Sequence, residues 1–247
     1  IDSCGDKQWC KILQFDSEFE DGWTQDIIVT KDNEIVLLLY LDSEEEIETI
    51  FLTSFTSQGV LQWSKGYASK NDYPWIREAL GYSLKEINDD YYISGYCYWP
   101  YPDDTTHFFL RPLFIGIDSL FEEKWILPFY ALDSVFGIAY KSIPLNDSLF
   151  MGVGIRKLPN SLDFGLLMFY NNEGEEIGFN ELSNQQIGAD VNSNQFRDIA
   201  RINDTLFMTS SLFGPGISTN PGGVLVIDTA ANLYNQLSKP NSSSADL

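Results

Sequence analysis

Three features of the sequence predict an all-β fold built from repeated four-stranded sheets. The segment PLNDSLFMGV at 144–153 returns as RINDTLFMTS at 201–210, and two weaker copies, EINDDYYISG and VTKDNEIVLL, precede them. A second pair of apolar runs joined by a turn follows each copy. The apolar runs are short, rich in Ile, Val, Phe and Tyr, and bounded by Asn, Asp, Gly and Ser, which is typical of strands.

The repeat period indicates how these strands are organised. The equivalent turn residues of the four copies are 56, 58 and 57 residues apart; they are Asp32, Asn88, Asn146 and Asn203. A constant period of this length predicts an array of similar units. Four-stranded antiparallel units packed face to face are the blades of a β-propeller, which is the fold class that the sequence predicts.

The units follow one another along the chain. Each reads as strand, Asn/Asp turn, strand, variable loop, strand, turn and strand, and the four units span 25–67, 81–130, 136–181 and 196–238. Asn and Asp favour the tight turns because both tolerate positive φ and bond to their own backbone. The segment 1–24 contains a stretch at 11–23 that looks like the outer half of another blade, and 239–247 is a polar tail. Four to five blades are therefore visible, and a continuation into a larger propeller stays open.

Composition narrows the class of protein. At 247 residues and 44% hydrophobic content, a single domain is expected. The net charge of −21 disfavours nucleic acid and anionic membrane surfaces as partners. There is no run of 18 apolar residues, so we expect no transmembrane helix. A start at Ile1 without Met or an apolar leader indicates a processed or trimmed N-terminus.

The cysteines indicate whether the protein resides in an oxidising or a reducing compartment. Cys4 and Cys10 lie in the N-terminal segment IDSCGDKQWC, where they predict a small disulfide loop and with it an oxidising compartment. The alternative is two free thiols in a cytosolic protein. Cys97 lies in an aromatic strand and is expected to be a buried, small apolar residue.

The sequence offers little catalytic chemistry. His107 is the single histidine, which disfavours histidine metal sites and Ser-His-Asp triads, and we expect neither a metal nor a cofactor.

A carboxylate pair acting on glycans is the remaining alternative. Its candidates by position are Asp26 and Asp198, each expected just ahead of an inner strand, with Ser83 and Tyr140 in the equivalent places of the other two units. Because that pair is not repeated, no catalytic residue is assigned.

Exposed aromatic residues are the better candidates for a binding site. The stretch GYCYWPYPDDTTHFF at 95–109 predicts a long insertion in the second unit that presents Trp99 and Tyr101. The linker before that unit adds Tyr73 and Trp75. Rigid aromatic side chains on a rim suit stacking on carbohydrate or anchoring of a protein partner. In the alternative interpretation, the flanking aromatics simply finish one strand and begin the next.

These blade patterns carry a resemblance to a known group of proteins. INDDYYISGY followed by FIGIDSLFEEKW resembles the repeats of secreted and cell-surface β-propeller proteins of Bacteroidota. The resemblance implies an extracellular or outer cell-surface location and a protein or glycan partner there. The tail LSKPNSSSADL is similar to the entry into the sorting domain of type IX secretion substrates, although it lacks the second proline of that pattern.

The same resemblance implies O-glycosylation, because Bacteroidota modify Ser or Thr in Asp-Ser/Thr-apolar triplets. The candidate hydroxyls are Thr105, Ser119, Ser134, Ser148, Thr205 and Thr229. The alternative is that these triplets are ordinary turns entering strands. Together the sequence predicts a non-catalytic binding or scaffold propeller, with a carboxylate-dependent glycan hydrolase as the alternative.

Overall fold

The computed structural model describes residues 10, 19–43, 49–69, 72–74, 76–101, 104–129, 136–157, 163–188, 193–214 and 222–238. Within them lie sixteen strands and one four-residue helix, α1 (Asn184–Ile187). No helix in the described part of the chain is long and apolar enough to cross a membrane.

The strands form four antiparallel sheets, each made of four consecutive strands. Blade 1 comprises β1 (Phe19–Val29), β2 (Ile35–Ser43), β3 (Thr49–Phe55) and β4 (Leu61–Tyr67). Blade 2 comprises β5 (Ala79–Ile87), β6 (Asp90–Tyr101), β7 (Asp104–Ile117) and β8 (Glu123–Pro128). Blade 3 comprises β9 (Phe136–Pro144), β10 (Leu149–Lys157), β11 (Asp163–Asn171) and β12 (Glu176–Leu182). Blade 4 comprises β13 (Ser193–Arg201), β14 (Leu206–Gly214), β15 (Gly222–Asp228) and β16 (Leu233–Ser238).

The first strand of each blade is its innermost one. β1 packs beside β5, β5 beside β9, and β9 beside β13, so these four strands line the axis of the array. Because consecutive strands are antiparallel, the hairpins after the first and third strands share one face of the array, here called the lower face. The opposite, upper face carries the hairpins after the second strands. Repeated antiparallel blades around an axis confirm the β-propeller prediction.

The core lies in the seams between blades, which explains why the strands are apolar on both faces. The seam between blades 2 and 3 is aromatic: the Tyr170 ring stacks on Phe114, with centroids 4.3 Å apart, and on Phe150, with centroids 5.3 Å apart. The seams between blades 1 and 2 and between blades 3 and 4 bury mainly aliphatic side chains. Removal of this apolar surface from water provides most of the free energy that holds the blades together.

The repeated turns have the same hydrogen bonds. Asn146 Oδ1 accepts from the backbone N–H groups of Ser148 and Leu149, at 3.0 Å each. Asn203 Oδ1 accepts in the same way from Thr205 and Leu206, at 2.9 Å each. The two copies of the sequence motif are therefore two copies of one Asx turn.

Several details differ from the sequence-based expectations. β1 begins at Phe19, so 19–23 belong to an innermost strand, while 11–18 lie outside the described residues. The predicted insertion at 95–109 is mostly strand, because β6 and β7 form one extended hairpin. The alternating aromatics of this stretch therefore follow strand periodicity, as the alternative interpretation held.

Candidate functional site

The site is built from an irregularity that recurs in every innermost strand. Each of these strands has a β-bulge that leaves one residue without a partner on the second strand of its blade. The bulged residues are Gln25, Tyr82, Tyr140 and Arg197, about 57 residues apart in the sequence. A bulge re-aims a side chain relative to the regular alternation of a strand. The fold therefore offers an equivalent irregular position near the axis in each of the four blades.

Three of these bulged side chains meet across blades 2, 3 and 4. The Tyr82 and Tyr140 rings are neighbours, with centroids 5.0 Å apart and planes inclined by 46°. The guanidinium carbon of Arg197 lies 4.1 Å from the centroid of the Tyr140 ring. A guanidinium over an aromatic face is favourable because the ring face is electron-rich. The three residues form a continuous row along the inner side of the array.

Two further tyrosines extend this row along the second strand of blade 2. The Tyr96 ring lies 5.8 Å from Tyr82 and 6.1 Å from Tyr98, which it meets edge to face. Tyr96 Oη donates to Glu78 Oε1 at 2.7 Å. We call Tyr82, Tyr96, Tyr98, Tyr140 and Arg197 the axial tyrosine cluster.

A polar chain runs from Arg197, at the other end of the cluster, along blade 4 to Asp163 of blade 3. Arg197 Nη2 donates to Gln195 Oε1 at 2.6 Å, and Gln195 Nε2 donates to Asp163 Oδ2 at 2.5 Å. Ser193 Oγ also donates to Asp163 Oδ2, at 3.3 Å. Asp163, Gln195 and Ser193 are buried. This network fixes the rotamer of Arg197, because both ends of the Gln195 amide are bonded.

The cluster has an apolar base and a partly exposed surface. The four tyrosines pack on Leu110, Ile138 and Ile155, which are buried between blades 2 and 3. The tyrosines themselves are half-buried and Arg197 is exposed. Aromatic faces over an apolar base, with a few fixed polar groups, are the usual composition of a small-ligand site.

The hydroxyls of Tyr82 and Tyr140 are neutral near pH 7. Burial raises the pKa of Tyr140 to about 12, although Arg197 acts in the opposite direction. Burial also raises the pKa of Tyr82, again against the effect of Arg197. Both phenols therefore stay protonated and can donate hydrogen bonds, whereas a phenolate base or nucleophile would require a lowered pKa.

The two candidate carboxylates of the hydrolase alternative lie elsewhere and are used structurally. Asp26 Oδ2 accepts from the backbone N–H of Leu84 in blade 2 at 2.9 Å, and Asp198 forms an ion pair with Lys141 of blade 3. Both carboxylates thus join neighbouring blades. The prediction that they precede inner strands was wrong, since they lie inside β1 and β13, immediately after the bulges. The bulge also shifts the register, so Lys141 rather than Tyr140 occupies the place equivalent to Ser83.

The structure describes the side chains of two of the four predicted rim aromatics, Tyr73 and Trp99. Tyr73 and Trp99 are half-buried and pack against the core between blades 1 and 2, and the Tyr73 hydroxyl bonds to Glu123. Trp75 and the side chain of Tyr101 lie outside the described residues. The structure does not bring Tyr73 or Trp99 into the axial tyrosine cluster, and a binding role for these four residues stays a prediction.

The remaining predicted sites also stay predictions. Cys10 is exposed, and Cys4 lies outside the described residues, as do Ser134 and the side chain of Thr105. Four candidate glycosylation hydroxyls lie in lower-face hairpins, where Ser119, Ser148 and Thr205 are exposed and Thr229 is half-buried. No group of three His, Cys, Asp or Glu side chains among the described residues could hold a metal ion.

The axial tyrosine cluster is not evident from the sequence patterns. Strand periodicity accounts for Tyr96 and Tyr98, and Tyr140 stands out only as the supposed replacement of an aspartate. The available signal is positional, because Tyr82, Tyr140 and Arg197 recur at the repeat period. That signal is weak without the bulges, since the residue types differ from blade to blade.

Comparison with known proteins adds little to this description. No protein-family model matches the sequence, and no curated protein sequence does either. Among solved structures, a thermostable family-43 glycoside hydrolase is similar at 10% identity, with 92% of this chain and 75% of that chain covered and a TM-score of 0.49. A variant of levansucrase from B. megaterium is similar at 10% identity, with 91% and 68% covered and a TM-score of 0.48. Drosophila semaphorin 2a is similar at 10% identity, with 86% and 47% covered and a TM-score of 0.43. TM-scores below 0.5 support no functional inference, so the fold rests on the sheet order and register of this chain.

Proposed function

We propose that this protein is a non-catalytic binding propeller that holds a glycan at the axial tyrosine cluster. The observation that carries the proposal is the convergence of Tyr82, Tyr140 and Arg197 from three different blades. Sugar rings present C–H faces and hydroxyls, and the cluster offers aromatic faces together with polar groups held in place. The extracellular location and the rim aromatics remain part of the same proposal, supported by the resemblance of the blade repeats.

Each part of the cluster has a role in this function. The Tyr82 and Tyr140 rings supply the stacking surface, and their protonated hydroxyls donate to sugar oxygens. Arg197 adds fixed donors because the Gln195 and Asp163 network holds its guanidinium. Glu78 lies at the far end of the row and accepts a hydrogen bond from Tyr96. Its carboxylate can accept from a sugar hydroxyl as well, or in place of Tyr96. Binding without chemistry is favoured because Asp26 and Asp198 are engaged between blades.

Isothermal titration with defined oligosaccharides tests the proposal. A suitable panel is cellohexaose, xylohexaose, chitohexaose and hexagalacturonate, offered to the wild-type chain and to Tyr82→Ala and Tyr140→Ala. At least one oligosaccharide should bind, and each substitution should weaken its binding by about fivefold, since aromatic stacking contributes on the order of 1 kcal/mol per ring.

Tyr234→Ala is the matched control, because Tyr234 is exposed on the outer strand of blade 4 and lies away from the axis. It should bind like the wild type. Equal affinity of Tyr82→Ala, Tyr140→Ala and wild type for a bound oligosaccharide would contradict the proposed site. Binding to none of the four oligosaccharides would contradict the glycan assignment.

The hydrolase alternative is tested by the same panel. Incubation of the chain with each oligosaccharide, followed by product analysis, should show no cleavage. Should cleavage occur, its loss in Asp198→Asn would overturn the binding assignment, because that variant removes the charge that pairs with Lys141 but keeps an oxygen that can accept from the backbone N–H of Ile199.

A further inference from the structure

The three seams between blades are built from equivalent positions. Two residues after each bulge, Leu84, Ser142 and Ile199 face the preceding blade and are at most 4% exposed. Leu84 and Ile199 join the apolar clusters of their seams, and Ser142 Oγ bonds to Ser94 Oγ of blade 2 at 2.9 Å. This side of each blade is called its leading face.

The opposite side of each blade, its trailing face, is equally regular. On the second strands, Val36, Tyr92 and Met151 occupy equivalent positions and are buried against the following blade. On the fourth strands, Leu127 packs in the seam and Asn180 Nδ2 donates to the carbonyl oxygen of Thr229 in blade 4 at 2.7 Å. A seam therefore always joins one trailing face to one leading face.

The two ends of the array each leave part of such a half-seam exposed. On the leading face of blade 1, Leu39 and Leu41 of β2 are buried, and the exposed part lies nearer the lower face. Ile27 takes the position of Leu84, Ser142 and Ile199 on the leading face of blade 1, but it is 57% exposed. Met208 and Leu237 take the corresponding positions on the trailing face of blade 4 and are 43% and 64% exposed. Val29 and Ile202 add exposed apolar surface to the leading and trailing faces respectively. Within the described strands, β13 and β1 lack the extensive packing that joins the other innermost neighbours.

We propose that the trailing face of blade 4 docks on the leading face of blade 1 in a second copy of this chain. The internal seams indicate that the partner is a second copy of this chain. Every internal seam joins a trailing face to a leading face, and the two ends of the array expose one face of each kind. Exposed apolar patches of this kind mark interaction sites. The contact is heterologous, so it either closes a ring of two copies or extends into a filament.

Substitutions at the two ends test this contact separately. Ile27→Glu places a charge on the leading face, and Met208→Glu places one on the trailing face. Both side chains are exposed in the single chain, so folding should be retained, which circular dichroism checks. Ile177→Glu is the control, because Ile177 is 59% exposed but lies on β12 of an internal blade.

Sedimentation equilibrium from about 1 to 200 µM measures the association. The wild type and Ile177→Glu should reach at least twice the chain mass of 28.1 kDa. Each end variant alone should raise the dissociation constant by about tenfold or more, since a charge in an apolar interface is costly. Association should strengthen at higher salt, because each chain carries a net charge of −21.

Mixing the two end variants gives the decisive result. An equimolar mixture of Ile27→Glu and Met208→Glu contains one unsubstituted pair of faces, so it should form a two-chain species with a lower dissociation constant than either variant shows alone. A wild-type mass of one chain throughout the range would overturn the proposal. So would unchanged association of either variant, or a mixture no tighter than its components, because a like-with-like contact gives that pattern.

Discussion

At the scale of single residues, asparagine side chains set two of the lower-face hairpins. Asn146 and Asn203 each bond to two backbone N–H groups and to the hydroxyl of the residue two positions on. The neighbouring Asp147 and Asp204 are exposed. Of the four similar residues in these two turns, the asparagines therefore carry the structural role.

Asn146→Ala should lower the free energy of unfolding by about 1 kcal/mol, because two backbone N–H groups lose their acceptor. Asn203→Ala should have a similar effect, since its turn has the same bonds. Urea unfolding followed by tryptophan fluorescence measures both. Asp147→Ala serves as the control and should change stability by less than about 0.5 kcal/mol. An equal loss in the control would assign the effect to the turn as a whole.

At the scale of elements, the outer strands fasten each blade to the next. Trp125 on β8 donates its Nε1–H to the carbonyl oxygen of Asn172 at 2.9 Å. Its indole also lies over Gly174, where an added Cβ would stand 2.6 Å from the ring. Gly174 has φ of +77°, which a glycine adopts without strain. The turn of blade 3 is therefore shaped to receive the tryptophan of blade 2.

Trp125→Ala should destabilise the protein by about 3 kcal/mol, because it removes both the packing and the hydrogen bond to blade 3. Thermal and urea unfolding measure the loss. Trp23→Ala is the comparison, since Trp23 is 52% exposed and contacts Tyr40 within its own blade. A smaller loss is expected there. If the two losses were equal, Trp125 would not act as a fastening between blades.

At the scale of the whole molecule, buried and half-buried phenols are spread through the seams. Burial raises the pKa of Tyr91 and Tyr140 to about 12, and it also raises the pKa of Tyr82 and Tyr92. These phenols join blades 1 and 2, blades 2 and 3, and the axial tyrosine cluster. Their ionisation acts on the whole array rather than on one hairpin.

The propeller should lose stability as pH rises from about 10 to 12. The phenols of the unfolded chain ionise near their ordinary pKa of about 10, whereas those of the folded protein stay protonated, so alkaline pH favours the unfolded chain. Urea unfolding at pH 8, 10 and 11 measures the slope. Tyr140→Phe should show a shallower loss between pH 10 and 11 than the wild type does. An identical slope would mean that Tyr140 ionises normally in the folded protein.

The repeat, the strands and the seams could be anticipated from the chain because each depends on local pattern. Asn146 and Asn203 mark turns through their own backbone bonds, and apolar runs such as IVLLLY predict strands buried on both faces. The axial tyrosine cluster could not be anticipated in the same way. A single bulged residue reverses the expected direction of a side chain, and nothing in the residues around Tyr82 or Tyr140 marks the bulge.

The sequence by itself determined the period of the blades, the four-stranded pattern and the Asx turns, because these depend on residues close together in the chain. Only the tertiary structure decided which side chains share the axis, which carboxylates join neighbouring blades, and which faces are left at the ends. Arg197 reaches Tyr140, and Asp26 reaches the backbone of Leu84, over separations of about 57 residues. Contacts of that range depend on strand register and on the packing of whole sheets, which local patterns do not encode.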